Sequence, residues 1–277
     1  MTAHDPLHRP RSGGFLDATQ MYLREIYELE EESGLAPRQS ALTRRLGLSR
    51  SSVSQHLARM AQDGLVSTTP RGHVRLTPAG RAAATVVVRK HRLAERLLVD
   101  VVGLEWELAH REASRWQYVL GDRVERKLLG LLADPRISPF GDPVPGLDEL
   151  DPALGAPGPG GPVVEAPFAR LEDVARGGGG RVVVCRLFTR LQDDPRQLVR
   201  LRGAGVVPGG AVEVAALAAD EHEVRTTSAA GVLALDAGAA RSILVVRVPP
   251  GVPSGDPAGA RTARPEARSP TPPCDIP

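Results

Sequence analysis

Apolar residues recur at helical spacing from the first third of the chain onward. Tyr22, Leu23, Ile26, Tyr27 and Leu29 form one stripe, with Asp17 placed to cap it. Glu30-Glu31-Glu32 followed by Ser33-Gly34 ends that helix. A short helix is expected over 38–46, and Gly47 makes a turn. Ser49 caps a third helix whose Val53, Leu57 and Met60 share a face at i, i+4, i+7. Asp63-Gly64 stops it. Two short β-prone runs, 65–69 and 73–77, flank Pro70-Arg71-Gly72 and predict a hairpin.

Pro78 opens a long helix through about residue 102, where Gly103 breaks it. A second long helix is expected over 105–132, with an apolar stripe of Trp116, Val119, Leu120, Val124, Leu128 and Leu131. That stripe reads either as intramolecular core or as a face for a second copy of the chain. Residues 139–150 are punctuated by Pro and Gly. Beyond them, 151–162 and the run 177–180 read as flexible linker. Short strands over 182–185, 212–214, 232–235 and 243–248, with a helix over 195–203, predict a small β-barrel.

These patterns give a mainly α chain with a small β part. A leader (1–14) precedes a winged helix-turn-helix (15–78) and a helical domain (79–150). A linker (151–180), an SH3-like β domain (181–250) and a disordered Pro-rich tail (251–277) follow.

Charge sharpens the reading. The 277 residues carry a net charge of only +2. Residues 35–96, however, hold twelve bases against two acids, Asp63 and Glu95, while 1–34 and 97–150 are each net −4. A basic block between acidic flanks is an electrostatic footprint for a polyanion. Aromatics at 3% argue against single-strand stacking folds. Cys185 and Cys274 are too few for a disulfide framework or a four-thiolate zinc site, which favours a reducing cytoplasm. Cys185, in an expected strand, reads as a buried small hydrophobe. No apolar run reaches the ~18 residues of a membrane span.

The expected third helix presents Ser49, Arg50, Ser51, Ser52, Ser54, Gln55 and Arg59 away from its apolar face. Gln55 can bond adenine twice, Arg50 can reach guanine or phosphate, and the hydroxyls suit either. Gln39 on the preceding helix, with Arg71 and His73 on the wing, completes the DNA-facing set. The competing reading is a solvated basic face in some other helical domain. A metal-dependent hydrolase is discounted, since no HExxH, placed base or nucleophile constellation is present.

Several strings carry a family resemblance: TQMYLREIYELEEE (19–32), SVSQHLARMAQDGLV (52–66), LTPAGR (76–81), RKHRLAERLL (89–98) and SPFGDPVPGLDEL (138–150). VVGLEWELAHREASRW (101–116) matches more loosely, and RLRGAGVVPGGAVEV (200–214) resembles an SH3-like domain. Together they resemble the diphtheria-toxin-repressor/iron-dependent-regulator family of bacterial metal-dependent repressors. The resemblance implies a homodimer that binds palindromic operators with Fe²⁺ or Mn²⁺ as co-repressor, and two metal sites per subunit.

By that resemblance one site falls on His91, Glu95 and His110, joined by Gln192. Thr189 stands where the family has a Glu. Two imidazoles and a carboxylate without a thiol suit Fe²⁺, Mn²⁺, Zn²⁺ or Co²⁺. The alternative for these three is a salt-bridged helix pair. The other site, which activates the family, falls on Met21, Ser114, Gln117 and Tyr118. The family's Cys, Glu and His are replaced there by neutral groups. These read either as a hydrogen-bonded polar cluster or as a re-purposed pocket. Two functions follow: a repressor still responsive to metal through the remaining site, or a regulator of the same fold that has lost metal control.

Overall fold

The computed structural model describes residues 18–154, 168–218 and 221–248. Asp17, the leader and the Pro-rich tail lie outside them. The chain divides into two units. Among the described residues, the first comprises 18–154 with 186–199, and the second comprises 168–185 with 200–218 and 221–248.

The first unit begins with α1 (Ala18–Ser33), α2 (Gln39–Leu46) and α3 (Arg50–Gln62). The hairpin follows as β1 (Val66–Thr68) and β2 (Val74–Leu76), paired antiparallel with Val66 opposite Leu76. Gly47 takes φ +64°, left-handed backbone that closes α2 and lets α3 leave at an angle. The Ser49 hydroxyl accepts from the Ser52 N–H at 3.1 Å, a cap of the kind that contributes about 1 kcal/mol. Val53, Leu57 and Met60 are buried with Tyr22, Leu23, Ile26 and Leu42, so the expected apolar face is the core. The wing is tied to α2, because the Gln39 N–H donates to the Gly72 carbonyl and the Val74 N–H to that of Pro37.

α4 (Pro78–Arg96) starts on a Thr77 cap. A Cβ at Gly80 would lie 1.8 Å from the Leu65 carbonyl oxygen, so this position requires glycine for close packing on the wing. The helix loosens into a π-helical turn at Leu97–Val102, and Gly103 (φ +78°) ends it.

The expected helix over 105–132 is two helices, α5 (Trp106–Trp116) and α6 (Asp122–Leu131). Gly121 is extended at the start of α6, and Asp122 enters its first turn. These are stop and start signals that the unbroken apolar period conceals. The stripe divides accordingly. Leu120 and Leu128 are buried with Leu93, Leu98, Ala113, Val144 and Leu147, whereas Val119, Val124 and Leu131 are exposed. α8 (Thr189–Gln192) also belongs to this unit.

The second unit holds a six-stranded sheet in the order β3-β8-β4-β5-β6-β7. Its strands are β3 (Ala169–Arg170), β4 (Gly180–Leu187), β5 (Ala211–Val214), β6 (Glu223–Ser228), β7 (Gly231–Asp236) and β8 (Ile243–Arg247). The helices α7 (Leu171–Arg176) and α10 (Ala237–Arg241) accompany them, and α9 (Pro195–Gly203) begins in the first unit and ends in the second. β3 and α7 occupy residues read as linker. Cys185 on β4 is half-buried, where full burial was expected.

Candidate metal centre and nucleic-acid interface

α4 places His91 and Glu95 one turn apart, and α5 brings His110 to them. All three are buried. Glu95 Oε1 lies 2.9 Å from His91 Nε2 and 2.8 Å from His110 Nδ1, and the two ring nitrogens are 3.1 Å apart. One donor atom from each residue lies within 4.8 Å of the others. Glu95 Oε2 is buried with no hydrogen-bond partner. Two nitrogens and an unspent carboxylate oxygen converging in the interior fit a divalent transition metal. Without metal, Glu95 pairs with both imidazoles and so bridges α4 and α5 itself.

The electrostatics are those of a cluster sharing protons. Burial works against charge on Glu95, but His91 and His110 outweigh it and hold the carboxyl well below the usual range. Burial lowers the His91 pKa, and Arg24 adds to this against the pull of Glu95. Burial opposes charge on His110 too, yet its bonds to Asp193 and Glu95 push its pKa up to about 9. Asp193 Oδ1 is 3.4 Å from His110 Nε2.

The second expected site is built differently. Met21 packs on the apolar core of the winged helix. Arg24, one turn further along α1 and buried, reaches the other residues. Its Nη1 donates to Ser114 Oγ at 3.0 Å, Gln117 Oε1 at 3.1 Å and His91 Nδ1 at 3.1 Å. Glu25 at 3.2 Å and Glu28 at 3.8 Å balance its charge. Burial works against that charge, but the carboxylates outweigh it, with Tyr118 contributing, and the guanidinium pKa rises. A guanidinium therefore stands where the resemblance places a metal ion. Neutral Ser114, Gln117 and Tyr118 suit that occupant and offer a divalent ion no anion.

Gln192 and Thr189 are engaged nearby. The Gln192 amide donates to Asp142 Oδ2 at 2.8 Å and to the Leu187 carbonyl, and the Thr189 hydroxyl donates to Glu28 at 3.1 Å. Asp142 also accepts from Arg186, which pairs with Glu31 at 2.7 Å.

On the DNA-facing side, α3 exposes Arg50, Ser51, Ser52, Ser54, Gln55 and Arg59, with Ser49 exposed at its cap. Gln39 is half-buried at the start of α2, and Arg71 is exposed at the wing tip. Half of the twelve bases in the basic block are spoken for. Arg45 pairs with Glu32, Arg81 with Glu30, Arg89 with Glu125, Lys90 with Asp122, Arg92 with Glu31 and Arg96 with Asp100. The remaining six, Arg38, Arg44, Arg50, Arg59, Arg71 and Arg75, make no ion pair among the described residues, and all lie in the winged helix. The positive footprint is thus narrower than the sequence count and confined to one domain.

Sequence reasoning missed Arg24, Glu28 and Asp193. The signal for the first two was present: Arg24, Glu25 and Glu28 interrupt the α1 stripe at positions that turn inward. Asp193 lies far away in sequence, within a run of ordinary loop composition, and gave no signal.

Comparison with known proteins agrees with this architecture. Residues 14–74 match the family description "Iron dependent repressor, N-terminal DNA binding domain". Residues 77–146 match "Iron dependent repressor, metal binding and dimerisation domain". The chain is 48% identical to the iron-dependent repressor IdeR of Mycobacterium leprae (strain TN) over 199 residues, covering 72% of this chain and 84% of that protein. It is 43% identical to the diphtheria toxin repressor of Corynebacterium diphtheriae, with the same coverage. Among solved structures, a manganese-dependent transcriptional repressor in complex with manganese superposes with a TM-score of 0.66 at 29% identity, covering 83% of this chain and all of that one.

Proposed function

The chain belongs to the iron-dependent repressor family, and from that premise we propose that it is a DNA-binding transcriptional repressor controlled by a divalent metal held at His91, Glu95 and His110. The observation that carries this reading is the convergence of three buried donors, with an unspent Glu95 oxygen, in the same unit as an exposed recognition helix. When bound, the metal supplies positive charge between two imidazoles and a carboxylate and so ties α4 to α5. Without metal, Arg24 bonds His91 and so links that cluster to α1 and thereby to the winged helix.

α3 enters the major groove. Arg50 and Gln55 read base edges, while Ser49, Ser51, Ser52 and Ser54 serve bases or phosphates. Arg59, Gln39 and the wing residue Arg71 hold the backbone. The exposed apolar residues Val101, Val102, Leu108, Val119, Val124 and Leu131 form the face that meets a second copy, and a two-fold dimer implies a palindromic operator. The iron- and manganese-dependent relatives support Fe²⁺ or Mn²⁺ as co-repressor, and the donor set admits Zn²⁺ and Co²⁺. The fold and its relatives are those of a regulator rather than an enzyme. No described helix is long and apolar enough to cross a membrane, and a DNA partner supports a cytoplasmic location.

Operator binding by fluorescence anisotropy tests the reading, in chelator and then with Fe²⁺, Mn²⁺ or Zn²⁺. Metal should raise affinity more than tenfold. Tight binding in chelator, unchanged by any of the ions, would overturn metal control.

A further inference from the structure

We infer that the Arg24 guanidinium is a built-in cation occupying the place of a second metal ion, so that each subunit binds one divalent ion rather than two. The inference rests on the proposed metal centre at His91, Glu95 and His110.

Three observations carry it. First, one nitrogen of Arg24 gathers three acceptors from two other helices: Ser114 and Gln117 on and just after α5, and His91 on α4. Second, the surroundings are matched to a monovalent donor. Every group it touches in that direction is a neutral acceptor, and its counter-charges, Glu25 and Glu28, come from its own helix. Third, the cation is permanent. Guanidinium does not give up its proton in a protein.

A divalent ion entering here would meet the guanidinium charge at bonding distance, with the counter-charges of Glu25 and Glu28 already engaged by Arg24. It would also have to take its ligands from groups already accepting from Arg24. The His91–Glu95–His110 cluster keeps its donors, because Arg24 approaches His91 through Nδ1 while the cluster uses Nε2, and a metal on Nε2 costs only the Arg24–His91 bond, with the bonds to Ser114 and Gln117 left in place. Arg24 is therefore a positioning residue, which holds α1 against α4 and α5 without waiting for a second ion.

The number of ions bound by the full-length chain tests this, with Mn²⁺ and Co²⁺ counted by equilibrium dialysis and elemental analysis. The wild type should bind one ion per chain. Gln117→Glu discriminates, because it exchanges an amide nitrogen that lacks a hydrogen-bond partner for an oxygen and keeps the bond from Arg24. The new carboxylate should pair with Arg24, and the count should stay at one. The double variant Arg24→Met/Gln117→Glu removes the cation, supplies an anion and should gain a second ion. Glu95→Gln should bind none.

Two ions on the wild type or on Gln117→Glu would overturn the inference. So would a folded double variant that still binds one. No ion on the wild type would instead overturn the metal reading of His91, Glu95 and His110, and the count of one with it.

Discussion

Arg24 Nη1 lies 3.1 Å from His91 Nδ1, so the ring that turns Nε2 toward the metal centre is gripped from its other side by the first helix of the DNA-binding domain. A guanidinium only donates, so Nδ1 must accept and the ring proton belongs on Nε2, aimed at Glu95 Oε1 at 2.9 Å. A metal that takes Nε2 forces this proton onto Nδ1, where it faces a donor. The Arg24–His91 bond cannot survive that change. Metal occupancy is thereby felt on α1 through hydrogen-bond polarity alone. Long-range ¹H–¹⁵N correlation spectra should show His91 as the Nε2–H tautomer without metal and as Nδ1–H with Zn²⁺. An Nδ1–H ring in the metal-free protein would sink this coupling.

Metal affinity should rise with pH. His110 has a pKa of about 9 in the metal-free fold, so at neutral pH a cation must displace its proton. Each unit below pH 9 then costs roughly tenfold in affinity. The sign for stability is the reverse. The raised pKa stabilises the metal-free fold fully below about 6.5, and that contribution disappears as pH rises through 9. Calorimetry in buffers of different ionisation enthalpy should count about one proton released per ion near pH 7.5. A count of zero contradicts a charged His110.

Asp142 is expected to be a stability hinge of the first unit. It accepts from Arg186, Gln192 and the Ser138 hydroxyl, and it faces Arg92 at 4.0 Å. Asp142→Ala leaves two buried guanidinium groups sharing Glu31 as their paired carboxylate. Breaking a buried ionic cluster from one side typically costs about 3–5 kcal/mol. Urea denaturation should show a loss of that order, whereas Arg115→Ala, which breaks the exposed pair with Glu112, should change little. Equal effects of the two substitutions would show that Asp142 is not the hinge.

The local frame of the winged helix was legible because its signals are short-range. Val53, Leu57 and Met60 repeat at helical spacing, Ser49 caps, and Gly47 turns, so each residue reports on its own neighbours. The break at Gly121 was hidden because the apolar period continues by coincidence across it. β6 was missed because Glu223–Ser228 alternates two inward residues, Val224 and Thr226, with a polar outer face and has no apolar run. At the site, the family resemblance grouped His91, Glu95 and His110, and helical spacing put the first two on one face of α4. The occupant of the second site was not legible. That depends on which way a long charged side chain turns inside the core, which residue type and periodicity do not encode. The same limit applied to the charge count, where pairing with distant carboxylates removed half the bases from the footprint.

That pairing gives the DNA interface a discriminating prediction. Salt dependence reflects bases free to neutralise phosphates, so it should follow the unpaired arginines and not the whole block. Arg50→Ala and Gln55→Ala, on the exposed face of α3, should each cost about 1–3 kcal/mol of specific operator affinity and relax preference at one base pair. Arg71→Ala at the wing should weaken specific and non-specific DNA about equally and reduce the slope of log K against log salt by about 1. Arg81→Ala should leave that slope unchanged, because Glu30 already pairs with this residue. Anisotropy titrations between 50 and 200 mM salt, a range over which such contacts shift affinity by orders of magnitude, read all four variants on one duplex. A slope that falls as far for Arg81→Ala as for Arg71→Ala would place the DNA along α4 rather than on α3 and the wing.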